Sequence, residues 1–120
     1  MYSVVPDHSC KLLRVTMAGA MSQQEVDAFW HDAALARAEL KLPLTAIGIL
    51  IHTPGNVLQS QEVVAQFVER QRMMPIQPCI AIVTEGRLLP NQFGRLLKPG
   101  RSGVFKTLAD AERWLAAKVG

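Results

Sequence analysis

Cysteine is scarce in this chain, and its two cysteines, Cys10 and Cys79, stand alone in separate apolar segments. There is no C-x-x-C pair and no Cys/His spacing of a zinc site. That excludes a zinc-stapled or disulfide-framed scaffold. Each cysteine is expected to act as a small buried hydrophobe. Long apolar runs are missing as well. Even Ile47 to Ile51, interrupted by Gly48, falls far short of the ~20 residues that cross a bilayer. The opening MYSVVPDHSC has neither a basic segment nor an extended apolar one. No signal peptide is read there, and a cytoplasmic location is expected by default. Two catalytic signatures are absent too. No G-x-S-x-G elbow occurs, and neither Gly94 nor Gly100 leads into the Lys-Ser/Thr of a phosphate loop.

Charge is also low. Charged residues make up 19% of the chain and the net charge is only +3, which does not call for nucleic acid. Hydrophobic residues at 49% of 120 positions are enough to bury a core, so residues 1–120 read as one ordered domain.

The pattern that fills this domain alternates strands with helices. CKLLRVTM, from Cys10 to Met17, reads as a strand. It pairs with an edge strand at Tyr2 to Val5 through a Pro6-Asp7-His8-Ser9 turn. Ser22-Gln23-Gln24-Glu25 has the S-x-x-E form of a capping box. The helix behind it places Val26, Phe29, Trp30, Ala33 and Leu40 on one face and ends at Pro43. Leu44 to Ile51 follows as a strand apolar enough to be central and parallel.

Ser60 is placed to cap the next helix, whose buried stripe is Val63, Val64, Phe67 and Val68. Cys79 to Val83 is another buried strand, and a short helix is expected over Asn91 to Leu97. Gly103 to Phe105 forms a short strand. Thr107 then caps a final helix with Leu108, Ala111 and Leu115 facing inward. The fold class is α/β, in the order ββαβαβαβα, with a mixed, mostly parallel sheet and flanking helices.

That order, carried by LLRVTMAGAMSQQEV, IGILI, SQEVVAQFV, CIAIV, FGRLL and VFKTLADAERWL, resembles the STAS/SpoIIAA-like superfamily over almost the whole chain. The resemblance implies a regulatory or adaptor fold used for protein contacts and sometimes for nucleotides or apolar ligands. It also implies a phosphorylatable serine at the start of the helix after the central strand. Ser60 stands in roughly that place, but within Leu58-Gln59-Ser60-Gln61-Glu62 rather than an Asp-Ser-Ser-Gly-like setting. Where many relatives have an aspartate at the end of the central strand, this chain has His52.

The candidate regulatory or partner-binding residues are therefore His52, Thr53, Asn56 and Ser60. A helix N-terminus favours anions, so Ser60 is either a plain cap or a phosphate acceptor. His52 would serve as a base only beside a hydroxyl and an orienting carboxylate. A second group, Arg87, Arg95, Lys98 and Arg101, belongs to a positive run without an acid between Glu85 and Asp110, a candidate anion-binding rim. Phe93 is the one aromatic between Arg87 and Arg101, too little for base stacking. No metal or cofactor is expected, because His8 and His31 have no ligand spacing with His52.

The leading expectation is a non-enzymatic regulatory or protein-interaction domain with an unidentified partner. One alternative is a carrier of a small apolar or anionic ligand, held between the sheet and the helices near Met73 or Phe93. Another is a small hydrolase built on His52 and a nearby hydroxyl. Apolar residues at helix ends, such as Met73 and Met74, also leave room for a homodimer.

Overall fold

Tyr2–Asp7 (β1) and Leu12–Met17 (β2) pair antiparallel, with Val4 opposite Val15. The computed structural model describes residues 1–54, 59–74, 78–84 and 101–119, and these build one five-stranded mixed sheet with three helices. The remaining elements are Gln23–Leu40 (α1), Gly48–His52 (β3), Gln61–Arg72 (α2), Cys79–Val83 (β4), Ser102–Phe105 (β5) and Leu108–Val119 (α3). The strands lie in the order β1-β2-β3-β4-β5, and every pair after the first is parallel. The short helix expected over Asn91 to Leu97 lies outside the described residues.

Period-two alternation divides each strand between two faces. In β2, Val15 and Met17 meet Val26 and Phe29 of α1 and Val63, Val64 and Phe67 of α2. On the other face Leu12, Leu50, Ala81 and Val83 pack on Ala111 and Leu115 of α3. The chain steps in one direction from β2 to β4, so right-handed crossovers set α1 and α2 on the same side. The strand order does not reverse within this parallel run. A ligand crevice at a reversal point therefore does not arise among the described strands.

The ends of the helices follow the local chemistry of the sequence. Ser22 Oγ accepts from the Glu25 N–H at 3.1 Å while Glu25 Oε1 accepts from the Ser22 N–H at 3.2 Å, completing the capping box. Lys41 closes α1 in the left-handed region at φ 54°. Thr107 Oγ1 accepts from the Asp110 N–H at 3.2 Å and opens α3.

Four expectations need correction. Cys10 is exposed, because the hairpin turn runs later than its Pro-Asp signal suggests. Asp7 stays in β1, and its carboxylate gathers the N–H groups of Ser9 and Cys10, both at 3.1 Å, holding residues 8–11 in the turn. The third strand starts at Gly48 rather than Leu44, since Pro43 starts a turn of 3-10 helix, Leu44–Ala46, with Ala46 N–H donating to the Pro43 carbonyl at 2.9 Å. Leu108 is exposed instead of inward. The chain still runs over the surface from Lys106 to Asp110, and the buried stripe of α3 begins one turn later at Ala111.

Candidate functional site

The helix α2 is pinned firmly at its start and lies loosely over the sheet beyond it. Ser60 Oγ accepts from the Val63 N–H at 3.2 Å, which is the cap its position implies. One residue earlier, the buried Gln59 reaches back across the fold. Its Oε1 accepts from the Met21 N–H at 2.8 Å and its Nε2 donates to the Gly19 carbonyl at 3.1 Å. The loop after β2 is thereby tied to the entrance of α2.

From that anchor the stripe Val63, Val64, Phe67 and Gln71 faces inward. Its main contact is with α1, through Trp30 and Phe29. The Trp30 and Phe67 rings stand 5.6 Å apart and the Phe29 and Phe67 rings 5.8 Å apart. The Arg70 guanidinium lies 5.7 Å from the Trp30 ring centre. By contrast, α2 approaches the strands less closely than α1 approaches β1 or α3 approaches β4.

The space left under α2 is an apolar cavity of about 90 Å³. Its floor is Leu13, Val15, Ile49, Ile51, Ile80 and Ile82 from three neighbouring strands. Phe29, Trp30 and Ala33 of α1 form one wall, and Phe67, Gln71 and Met74 form the other. Among the described residues no charged side chain lines it. Such a space takes an apolar molecule without desolvating an ion. A second, open depression between β1 and α1 is polar. There the Tyr2 hydroxyl donates to Asp32 at 2.6 Å, which raises the Tyr2 pKa above its ordinary value.

Among the described residues, those singled out around the strand end are not hydrogen-bonded to one another. His52 is half-buried at the C-terminal end of β3, on the face that also carries Leu50, and makes no hydrogen bond or ion pair among the described residues. Thr53 is buried, with its hydroxyl donating to the Val83 carbonyl at 3.1 Å. The Ser60 hydroxyl is exposed and engaged in the cap. Among the described residues neither hydroxyl is bonded to His52, and no carboxylate orients the imidazole. Asn56 lies outside the described residues.

The basic group is divided as well. Arg87, Arg95 and Lys98 lie outside the described residues. Arg101 is exposed just before β5, where its carbonyl accepts from the Ile80 N–H at 2.9 Å. Because β4 and β5 are parallel, that is the N-terminal end of the strands, opposite to His52. Among the described residues no cluster of three His, Cys, Asp or Glu side chains has the arrangement of a metal site, and no helix is long and apolar enough to cross a membrane.

Sequence reasoning passed over Gln59, placed Trp30 on the apolar face of α1 and set Met74 at a helix end with room for a homodimer. One signal pointed to the cavity: Gln71 falls at helical spacing after Val64 and Phe67, so it puts a polar side chain into an otherwise apolar stripe. No family model, curated protein or solved structure matches this chain.

Proposed function

We propose that the chain is a non-enzymatic STAS/SpoIIAA-like domain that works by binding, and that its ligand is a small apolar molecule taken up beneath α2. The observation that supports this is the cavity itself. Its described lining comes from three strands and two helices and carries no charge among those residues. A ligand there touches the sheet and the underside of α2 together. Binding would draw α2 toward the strands and alter the exposed surface of that helix, including Glu62, Glu69, Arg70 and Met73. That surface is where a protein partner would read the ligand state, so the regulatory and carrier expectations become two steps of one device.

Xenon and cyclopropane test the reading, since both are smaller than the benzene that a dry apolar cavity of ~150 Å³ holds. In methyl-labelled protein each is expected to shift the Val15, Ile49, Ile51 and Ile82 signals, saturably and together. Ala33→Leu, which fills the space from the α1 wall, is expected to abolish the shifts. Methyl signals that stay still with both probes in the unsubstituted chain would rule the proposal out.

A further inference from the structure

The sheet ends at β1, and no described strand pairs with its outer side. Ala18 N–H donates to the Met1 carbonyl at 2.8 Å, and the Met1 amino group donates back to the Ala18 carbonyl at 3.0 Å. Met1 and Ala18 therefore form a hydrogen-bonded pair of the antiparallel ladder, and such pairs recur at every second residue. Ser3 and Val5 turn their backbone groups toward β2, opposite Thr16 and Arg14, while Tyr2, Val4 and Pro6 turn theirs outward. The open edge thus offers two N–H donors, from Tyr2 and Val4, and three carbonyl acceptors. Pro6 stands at an outward position, where its missing N–H breaks no bond of the ladder.

Beside this edge runs the depression between β1 and α1, about 470 Å³ of open space whose described lining comes from these two elements alone. As a crossover helix between parallel strands, α1 runs back along β2 and so in the direction of β1. Asp32 accordingly lies beside Tyr2, whose hydroxyl it accepts. The charged residues of the described lining, Asp32 and Glu39, are both acidic and exposed, and neither has an ion-pair partner among the described residues. They are seven residues apart, which is two turns and about 10.5 Å along one helix face. Leu35 lies between them and is 56% exposed.

We infer that this edge is a docking site for an extended basic segment of a partner protein, added as a strand beside β1. Backbone bonds to Tyr2, Val4 and Pro6 supply the pairing, and Asp32 and Glu39 select the side chains. Every second residue of such a segment faces α1, and residues four apart are separated by about 13 Å. That matches the two carboxylates within the reach of lysine or arginine side chains. The fitting pattern is basic-x-apolar-x-basic, with the apolar residue over Leu35. A second copy of the chain fits less well. Pairing β1 with itself about Val4 sets Pro6 against Tyr2 twice, with a bond missing each time, and gathers four carboxylates on one face. The site does not involve α2 and does not rest on the cavity being occupied.

The experiment titrates two end-capped peptides, TKTVTKT and TETVTET, into the unsubstituted protein and follows its backbone amide signals. The lysine peptide is expected to shift the Tyr2 and Val4 signals saturably and to bind about tenfold more tightly than the glutamate peptide. Asp32→Asn combined with Glu39→Gln is expected to weaken the lysine peptide about three- to tenfold and to lessen its salt dependence. Two N-methylated forms of the lysine peptide, methylated on one or the other alternate set of amides, test the pairing itself. One set faces β1 and the other faces solvent, so one form is expected to lose binding and the other to keep it.

Tyr2 and Val4 signals that stay still would overturn the inference, as would equal affinity for the two peptides or an equal effect of the two methylation patterns. A dimer in sedimentation whose Tyr2 and Val4 amides are protected from exchange would overturn it too, by giving the edge to a second copy. Should the double substitution disturb the fold, the ratio of lysine to glutamate peptide affinity in the unsubstituted protein decides alone.

Discussion

Gln59 and Met21 are 38 residues apart in sequence, yet the Gln59 Oε1 accepts from the Met21 N–H at 2.8 Å in the interior. The bond joins the approach to α1 with the approach to α2, so the two helices over the cavity share one anchor. Gln59→Leu would leave the Met21 N–H and the Gly19 carbonyl without their side-chain partner. A loss of about 1–3 kcal/mol is expected in urea unfolding. A midpoint equal to that of the unsubstituted chain would show that solvent replaces both bonds at no cost.

Ser60 separates capping from switching. Ser60→Ala removes the oxygen that accepts from Val63 N–H and is expected to cost about 1 kcal/mol. Ser60→Asp keeps an acceptor at the cap and adds charge favoured by the helix dipole. It should recover most of that stability in thermal melts. If Asp proves as harmful as Ala, the cap is not what the position contributes.

Asp7 makes stability depend on acid. Arg14 Nε donates to its carboxylate at 2.7 Å, and Ser9 adds hydroxyl and backbone donors, holding the Asp7 carboxyl well below the usual range. A lowered folded-state value means that the contribution is fully present above the unfolded-state value of about 3.9. It is lost progressively as pH falls below that point toward the folded-state value. Asp7→Asn is expected to cost about 1–2 kcal/mol at neutral pH and to flatten the decline below pH ~4. Parallel stability curves for the two proteins would assign the acid sensitivity elsewhere.

Ala33 tests the space under α2 by filling it. Ala33 lies on the α1 wall, and three added carbons are comparable with the volume available. Ala33→Leu is expected to be neutral or stabilising by up to about 1 kcal/mol, as cavity-filling changes often are. A loss of more than about 2 kcal/mol in denaturant titration would indicate overpacking and a space already closed.

The sequence carried the elements whose causes are local. The S-x-x-E box opened α1, Ser60 and Thr107 capped the helices that follow them, and LLRVTM alternated between two faces as written. What it could not carry depends on reach or on volume. Asp7 gathers three donors from Ser9 and Cys10 and moves the hairpin turn, an effect of geometry that residue preferences do not record. Gln59 finds its partners only after the crossover from β2 to β3 has placed the two loops side by side. The cavity is a difference between the volume enclosed by helices and strands and the volume of the side chains between them. No single residue announces such a difference. His52 stood out because of its type and its place at a strand end, and among the described residues it has neither a nucleophile nor an orienting acid bonded to it.

The space beneath α2 also makes the two flanks of the sheet mechanically unequal. Over β3 and β4, α3 closes on Leu50, Ala81 and Val83 with Ala111 and Leu115 fully buried, a flank with little left to compress. The α2 flank encloses void, and hydrostatic pressure favours whatever eliminates void. Under compression α2 should therefore give way before α3, and the protein should soften from one side only.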